Sequence, residues 1–403
     1  MNMISKNKVY AKKSGVNKAQ SGFTILEILV ALVLGVAILT AAISMQMQHR
    51  KGFKLSNNKL QMQTNAKFAI EFINQSLRST GNMGCRNGKE LSNGAVRKVA
   101  EECNGGVCIA LNNPEVAYAD FRTGFELLGY EYAGGLVPSP PTAFTFVSNS
   151  EYNADSDIIT VAGGYGEVYP LSEDEIKPVD DGFQLDISNI KQIRLKQSQY
   201  GLLSSCKGAY FFKVTSPNGS IDAGVIKWEG GSAGDDNATG QVDKFADLVG
   251  GIGGAREFRR AAVTSYFVGM NPLNDPQGVP YLYQDVDGQS KRLVKGVEEI
   301  QILYGLSFDP KRRNIADRYV TADVIAAETT ATNNLWAQVV SVRIGLIMRS
   351  EKEVYSTDQT QTMTLECVNY TQAVKTDKYS RSTYCAEVSI RNRLIGARVG
   401  EKV

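Results

Sequence analysis

Gly22-Phe23-Thr24-Ile25-Leu26-Glu27-Ile28-Leu29-Val30-Ala31-Leu32-Val33-Leu34-Gly35-Val36-Ala37-Ile38-Leu39-Thr40-Ala41-Ala42-Ile43 is the stretch whose reading decides the fold. From Phe23 to Ile43 there is one charged side chain, Glu27. These 21 residues, as an α-helix, reach roughly 32 Å. A bilayer hydrocarbon core is about 30 Å thick, so residues 23–43 are expected to span a membrane. A carboxylate inside such a helix costs on the order of a few kcal/mol and marks function by default. Glu27 lies one turn after Phe23. A cut between Gly22 and Phe23 would create an α-amino cation able to neutralise it, within one subunit or between packed helices.

Residues 1–22 precede the span and carry Lys6, Lys8, Lys12, Lys13 and Lys18 with no acid. That fits a cytoplasmic flank. The far flank is also basic (Arg50, Lys51, Lys54, Lys59), so charge alone orients the helix weakly. All six cysteines (Cys85, Cys103, Cys108, Cys206, Cys367, Cys385) follow the span, which points to an exported, disulfide-permissive compartment. Six cysteines allow 15 connectivities. Proximity favours Cys103–Cys108 and Cys367–Cys385, leaving Cys85–Cys206. With no CxxC pair and with His49 the only histidine, a zinc site is not expected.

The basic leader ending in Gly22, then Phe23, three residues, Glu27 and an unbroken apolar run resembles the class III signal of type IV prepilins. In that family a membrane aspartyl peptidase cuts after the Gly and methylates the new Phe amine, and the Glu helps dock the subunit into a growing filament. The resemblance therefore implies leader cleavage at Gly22/Phe23, N-methylation of Phe23 and an assembly role for Glu27. The competing reading is an uncleaved signal anchor.

Helix is expected to continue over 44–80. No proline occurs between Phe23 and Leu77, and Phe68/Phe72, Ala69/Ile73 and Ile73/Leu77 repeat at i,i+4 among polar Lys67, Glu71, Asn74 and Arg78. Gly81 is the stop signal. Gly35 is the one weak helix former comparable to the proline that many pilins carry near the end of the span. The expected organisation is a removed leader (1–22), a transmembrane or filament-core helix (23–43), an amphipathic continuation (44–80) laid into a head, and an extracytoplasmic β-rich head (81–403).

Turn signals are dense in that head: Asn104-Gly105-Gly106, Pro138-Ser139-Pro140-Pro141, Asp181-Gly182, Pro217-Asn218-Gly219 and Asp287-Gly288. Strand-like runs lie between them at 143–147, 157–161, 210–214, 264–268 and 281–283. Residues 230–240 read as a mobile loop. The fold class expected is α+β: a long N-terminal helix packed on an antiparallel, pilin-like head.

Val297-Glu298-Glu299-Ile300-Gln301-Ile302-Leu303-Tyr304-Gly305 comes next. It is followed by Trp336-Ala337-Gln338-Val339-Val340-Ser341-Val342-Arg343-Ile344-Gly345-Leu346-Ile347-Met348-Arg349 and by Ile390-Arg391-Asn392-Arg393-Leu394. This order is similar to PilW-type minor pilins, as is Gly84-Cys85. Independently, Val340, Val342, Ile344, Leu346 and Met348 alternate with Ser341, Arg343, Gly345 and Ile347, the pattern of a strand with one buried face. On that strand Arg343 reads as solvated or paired, not as a ligand.

Little points to catalysis. One histidine removes most His-dependent nucleophile schemes. Gly250-Gly251-Ile252-Gly253-Gly254-Ala255 lacks the Walker lysine and reads as a turn. Asp285-Val286-Asp287-Gly288 and Asp309-Pro310 resemble fragments of calcium loops without the closing Glu. Glu173/Asp174/Glu175 lie in a polar run and read as solvated. Arg256, Arg259 and Arg260, with Lys311-Arg312-Arg313, form local basic clusters where nucleic acid is the minor alternative. The near-neutral chain, at +2, favours solvated loop charge.

The resemblance thus implies a non-enzymatic minor pilin without cofactor. It would be single-pass in the inner membrane with a periplasmic head, and afterwards in the pilus at its tip. The implied partners are prepilin peptidase, other minor pilins, the major pilin and a large tip adhesin. Two alternatives are a minor pseudopilin of type II secretion and a membrane-anchored extracytoplasmic enzyme or binding module.

Overall fold

The computed structural model describes residues 23–80, 82–83, 86–87, 107–109, 126–132, 136–137, 155–172, 175–179, 182–187, 195–205, 209–229, 256–270, 278–308, 315–329 and 334–390. The chain divides into two compact units, residues 1–56 and 57–403.

The first unit is the start of helix α1, which runs Ile25–Ser79 without a break at Gly35. Apart from Gly35, every residue from Phe23 to Lys54 is exposed. An apolar helix exposed around its whole circumference is stable in lipid or against other helices, not in water.

In the second unit, α1 buries Met62, Ala66, Ala69, Ile73 and Leu77, one stripe at helical spacing. Phe68 and Phe72, expected to share that buried stripe, face outward at 57% and 38% exposure. The small side chains of Ala66 and Ala69 let the head approach the backbone closely, so packing chose the alanine line over the phenylalanine line. The helix ends at Ser79, two residues before the Gly81 signal. Ser79 Oγ and Thr80 Oγ1 donate to the Ser76 carbonyl at 2.8 and 3.1 Å, and Thr80 N donates to it at 3.0 Å.

Two antiparallel sheets cover the stripe. The larger contains β1 (Leu127–Tyr132), β2 (Ile158–Leu171), β3 (Tyr200–Ser205), β4 (Ala209–Lys213) and β5 (Arg256–Met270), in the order β4-β3-β5-β2-β1. Short strands at 107–109 and 136–137 flank it, the former pairing parallel with β4. A hairpin of β6 (Pro280–Val286) and β7 (Gln289–Lys295) extends from β5. Its two-residue loop is the Asp287-Gly288 signal, both residues at positive φ (51° and 80°), as a tight hairpin turn demands.

The second sheet orders β9 (Arg318–Val320), β8 (Val297–Leu306), β10 (Val339–Arg349) and β11 (Arg381–Ser389) as β9-β8-β10-β11. Helix α2 (Asn218–Asp222) follows Pro217, where the sequence had signalled only a turn, and α3 (Ala322–Glu328) follows β9. The expected strands at 157–161, 210–214, 264–268 and 281–283 fall in or overlap β2, β4, β5 and β6. The expected strand at 143–147 and loop at 230–240 lie outside the described residues.

The core joins the α1 stripe to residues from both sheets, among them Tyr266, Val268, Ile302, Tyr304, Val342, Ile344 and Leu346. Burying an aliphatic side chain contributes roughly 1.5–3 kcal/mol, so this stripe fastens the helix to the head. Polar contacts fix its register. Tyr266 OH donates to the Phe72 carbonyl at 3.1 Å and accepts from Gln284 Nε2 at 2.9 Å, with Ser76 Oγ at 2.7 Å. Asn65 Nδ2 donates to the Lys295 carbonyl at 3.1 Å, and Gln61 Nε2 to Glu351 Oε1 at 2.7 Å.

β10 departs from the alternating expectation. It is buried on both faces, Arg343 being its one partly exposed residue. Val342, Ile344, Leu346 and Met348 join the main core. On the other side Ile347 packs with Leu303, Leu365 and Val368 in a second, smaller core. The segment between β10 and β11 folds back over the sheet and makes that second cover. Cys367 in this cover and Cys385 in β11 form a disulfide, with Cα atoms 6.3 Å apart. Gly345 admits the cover: a Cβ there would meet Leu365 and Val368, each at 2.9 Å. Gly345→Val should therefore cost about 1–3 kcal/mol through overpacking, read as a lower denaturant midpoint with unchanged slope.

Candidate functional site

The first turn of α1 holds its one acid in a specific way. Thr24 N donates to Glu27 Oε2 at 3.0 Å, Thr24 Oγ1 donates to the same oxygen at 3.2 Å, and Glu27 N donates to Thr24 Oγ1 at 3.3 Å. This is a reciprocal capping box: each side chain satisfies a backbone N–H that helix geometry leaves without a partner. The carboxylate also sits at the positive end of the helix dipole. Thr24-x-x-Glu27 carries the S/T-x-x-E signature, so this arrangement was readable, yet the apolar run drew the reading toward the membrane. Phe23, directly before the box, is exposed; Gly22 lies outside the described residues.

A second polar grouping lies on the uncovered part of the second sheet. Arg343 Nε donates to Glu387 Oε2 at 3.0 Å, and its guanidinium stands 3.6 Å over the Tyr319 ring. Tyr319 OH donates to Glu387 Oε1 at 2.7 Å and lies 2.9 Å from Ser341 Oγ. The Tyr319 hydroxyl, then Arg343, hold the Glu387 carboxyl below its usual range. Arg343 is thus a paired strand residue, stacked and bridged. Near the other end of the sheet Arg381 grips Glu298 through Nε and Nη2 at 2.7 and 2.9 Å, and Asp377 through Nη1 and Nη2 at 2.9 and 2.6 Å.

The resemblance segments meet in space. β8 and β10 are neighbours, with Ile302 opposite Ile344 and Gln301 opposite Gly345. Tyr304 and Trp336 contact edge to face, their centroids 5.0 Å apart. Residues 391–394 lie outside the described residues.

Other positions singled out from sequence have local partners. Arg259 pairs with Glu257 at 2.9 Å, and Arg260 pairs with Asp287 and stacks on Tyr165. Arg259 and Arg260 are 9% and 12% exposed as side chains, so neither offers a free cation to nucleic acid. The side chain of Arg256 lies outside the described residues, as do 250–255 and 311–313. Asp285 accepts from Gly288 N and Ser290 Oγ at 2.8 and 2.7 Å, and Asp287 accepts from Val263 N at 2.9 Å. These carboxylates organise the hairpin. Glu175 accepts from Ser172 N and Oγ, each at 2.8 Å. Cys85, Cys103, Cys206, Glu173, Asp174 and Asp309 lie outside the described residues, and of Cys108 only its strand position is described.

Comparison with known proteins gives two matches. Residues 265–392 match the model of type IV pilus-assembly protein W, and residues 17–43 match the prokaryotic N-terminal methylation motif. No curated protein and no solved structure matches the chain.

Proposed function

Because the chain is a PilW-type, prepilin-like protein of the type IV pilus, a minor pilin, we propose that it is cut after Gly22, methylated on Phe23 and docked through Glu27. In this reading the protein makes and breaks no bonds. It helps prime pilus assembly and stays in the tip complex. The motif and the apolar helix fit anchoring in the inner membrane and entry into the pilus. The head would face the periplasm first and the pilus tip later. Prepilin peptidase, other minor pilins, the major pilin and a large tip adhesin are the partners this implies.

One observation supports the reading most. Glu27 is capped onto the first turn of a helix that is apolar and exposed. Once Gly22 is removed, the Phe23 amine lies on the same turn as that carboxylate. The pair can be satisfied internally in lipid and then exchanged with a neighbouring subunit's amine during docking.

Gly22→Ala should leave an unshifted band and an unmethylated N-terminus by mass spectrometry. Normal processing of this variant would sink the prepilin reading. Glu27→Leu should be processed and inserted normally yet fall at least tenfold in sheared pili, about 1.4 kcal/mol of docking. Wild-type incorporation would remove Glu27 from docking. Loss of secretion with intact piliation in a deletion strain would move the protein to a type II secretion pseudopilus.

A further inference from the structure

We propose that β11 is an edge strand completed by the chain's own continuation: residues 395–402 dock antiparallel along its free side as a fifth strand of the second sheet. The proposal stands independently of the pilus reading.

The backbone defines the free side. β11 pairs with β10 from Ser389 opposite Ser341 to Arg381 opposite Arg349, and among the described residues no strand pairs with its other side. Just beyond its ends, Ser350 N donates to the Ser380 carbonyl at 2.8 Å and Ile390 N to the Val340 carbonyl at 2.9 Å. Opposed residues in an antiparallel ladder alternate between bonded and non-bonded pairs. Ser382, Tyr384, Ala386 and Val388 therefore commit their N–H and C=O groups to β10, while Thr383, Cys385, Glu387 and Ser389 aim theirs away from it. The last four are also the exposed residues of the strand.

An unpaired edge is a template for another strand, and folded proteins blunt such edges with short strands or lysines. The other free edges of the two sheets are blunted in this way. Those at 107–109, 136–137 and β9 are three residues or fewer, and β7 carries Lys291, Arg292 and Lys295. From Ser382 to Ser389, β11 has no Lys, Arg or Pro. The Cys367–Cys385 bridge and the Arg381–Glu298 pair pin it in place. A long, rigid edge without blunting devices calls for a partner strand.

The sequence supplies one. Ile390 is followed by Arg391-Asn392-Arg393-Leu394-Ile395-Gly396-Ala397-Arg398-Val399-Gly400-Glu401-Lys402, outside the described residues. Ile395, Ala397 and Val399 alternate with Gly396, Arg398 and Gly400, the period of a strand with one apolar face. A turn over 391–394, with Asn392 in it, sets Ile395 opposite Ile390. In that register Ala397 falls opposite Val388 and Val399 opposite Ala386, on the face where Ile390 and Val388 join the main core. On the other face Arg398 falls opposite Glu387, whose side chain is 48% exposed. An ionised carboxylate keeps lone pairs for a second cation after Arg343 and Tyr319 are served, and opposite charges facing across strands attract. Gly400 falls opposite Cys385, where the lack of a Cβ leaves room for the bridge to Cys367. A slip of one residue would turn Arg398 toward the core, so the pattern permits one register. A strand from another molecule would compete with a segment tethered by four residues, at an effective concentration in the millimolar range. This decides for the chain's own segment.

The test is amide exchange, resolved residue by residue, on the full-length chain in detergent. The Thr383, Cys385 and Glu387 amides should exchange about tenfold more slowly than in a chain stopped after Arg393, while Tyr384 and Ala386 exchange alike in both. Rapid exchange of the three outer amides in the full-length chain overturns the proposal. So does slow exchange that survives the truncation; if that protection rises with protein concentration, the edge belongs to a second copy. Cross-linking gives the answer should the truncated chain fail to fold. Val388→Cys with Ala397→Cys, facing each other in a non-bonded pair, should close to an intramolecular disulfide. Val388→Cys with Arg398→Cys, on opposite faces, should not. Closure of both pairs or of neither overturns the proposal, and a disulfide between two chains overturns it in favour of a second copy.

Discussion

Arg381→Met should destabilise the head by about 3–5 kcal/mol, because it strands the Glu298 carboxylate in a buried site and takes away the partner of half-buried Asp377. The Arg381 side chain is 1% exposed and Glu298 11%, and they meet fork to fork. Asp377 takes the remaining donors, which hold its carboxyl below the usual range. The cluster closes the base of the folded-back cover: Arg381 opens β11, Glu298 lies in β8, and Asp377 ends the covering segment. Neighbouring Arg349 stacks over Tyr379 at 4.3 Å and donates to the Gly278 carbonyl at 2.5 Å. Urea unfolding of the detergent-solubilised chain measures the loss. Adding Glu298→Gln to Arg381→Met should recover part of it by removing one uncompensated charge. A loss under 1 kcal/mol would mean that the cluster is solvated and contributes little.

The head should also lose stability as pH rises from about 4.5 to about 7. Burial, then the charge of Asp323, pushes the Glu131 carboxyl up to about 7. Burial, then Glu131, pushes Asp157 well above its usual value. The two carboxyls hydrogen-bond to each other where β1 and β2 meet β8, and Asp157 Oδ2 accepts from Ile302 N at 2.8 Å. Burial, then Asp157 and Glu131, in turn pushes the neighbouring Tyr304 hydroxyl well above its usual value. The folded state therefore keeps a proton that the unfolded chain releases. That stability is full below the ordinary carboxylate pKa and is lost as pH climbs through the raised one. Glu131 is only partly buried, and screening reduces the effect to about 1–2 kcal/mol. Buried Asp285 and Glu299 are raised in the same sense. Melting curves at pH 5.5 and pH 8 should differ by a few degrees. Glu131→Gln should flatten most of that difference and raise the melting point at pH 8. A Glu131→Gln variant with the wild-type slope would place the proton elsewhere.

How much of this was legible varies by element. The span, the long helix and the antiparallel head were readable because hydrophobic period and turn chemistry are local signals. The helix face was readable in part: the Ala69, Ile73 and Leu77 repeat is buried, whereas Phe68 and Phe72 are not. Two apolar stripes one residue apart compete, and only the shape of the head selects Ala66 and Ala69 over Phe68 and Phe72. The second face of β10 was hidden for a related reason. Its cover comes from residues 364–372, and no local pattern on β10 announces a lid supplied from elsewhere. Arg260 looked like part of a basic patch because its partner Asp287 could be placed only once the hairpin was built, while Arg259 pairs with Glu257 two residues away on the same strand. Glu27 was recognised by position, while its capping role followed from Thr24, a signal overlooked among the apolar residues.

The way α1 enters the head has a mechanical consequence. Met62 through Leu77 bury side chains at successive turns, and Asn65 and Tyr266 add bonds across the helix axis. Tension along α1 loads these contacts together, in shear, instead of peeling them one at a time. Rupture then requires several turns to let go at once, so this helix should slip from its head at far higher force than a β-hairpin unzipped from its end.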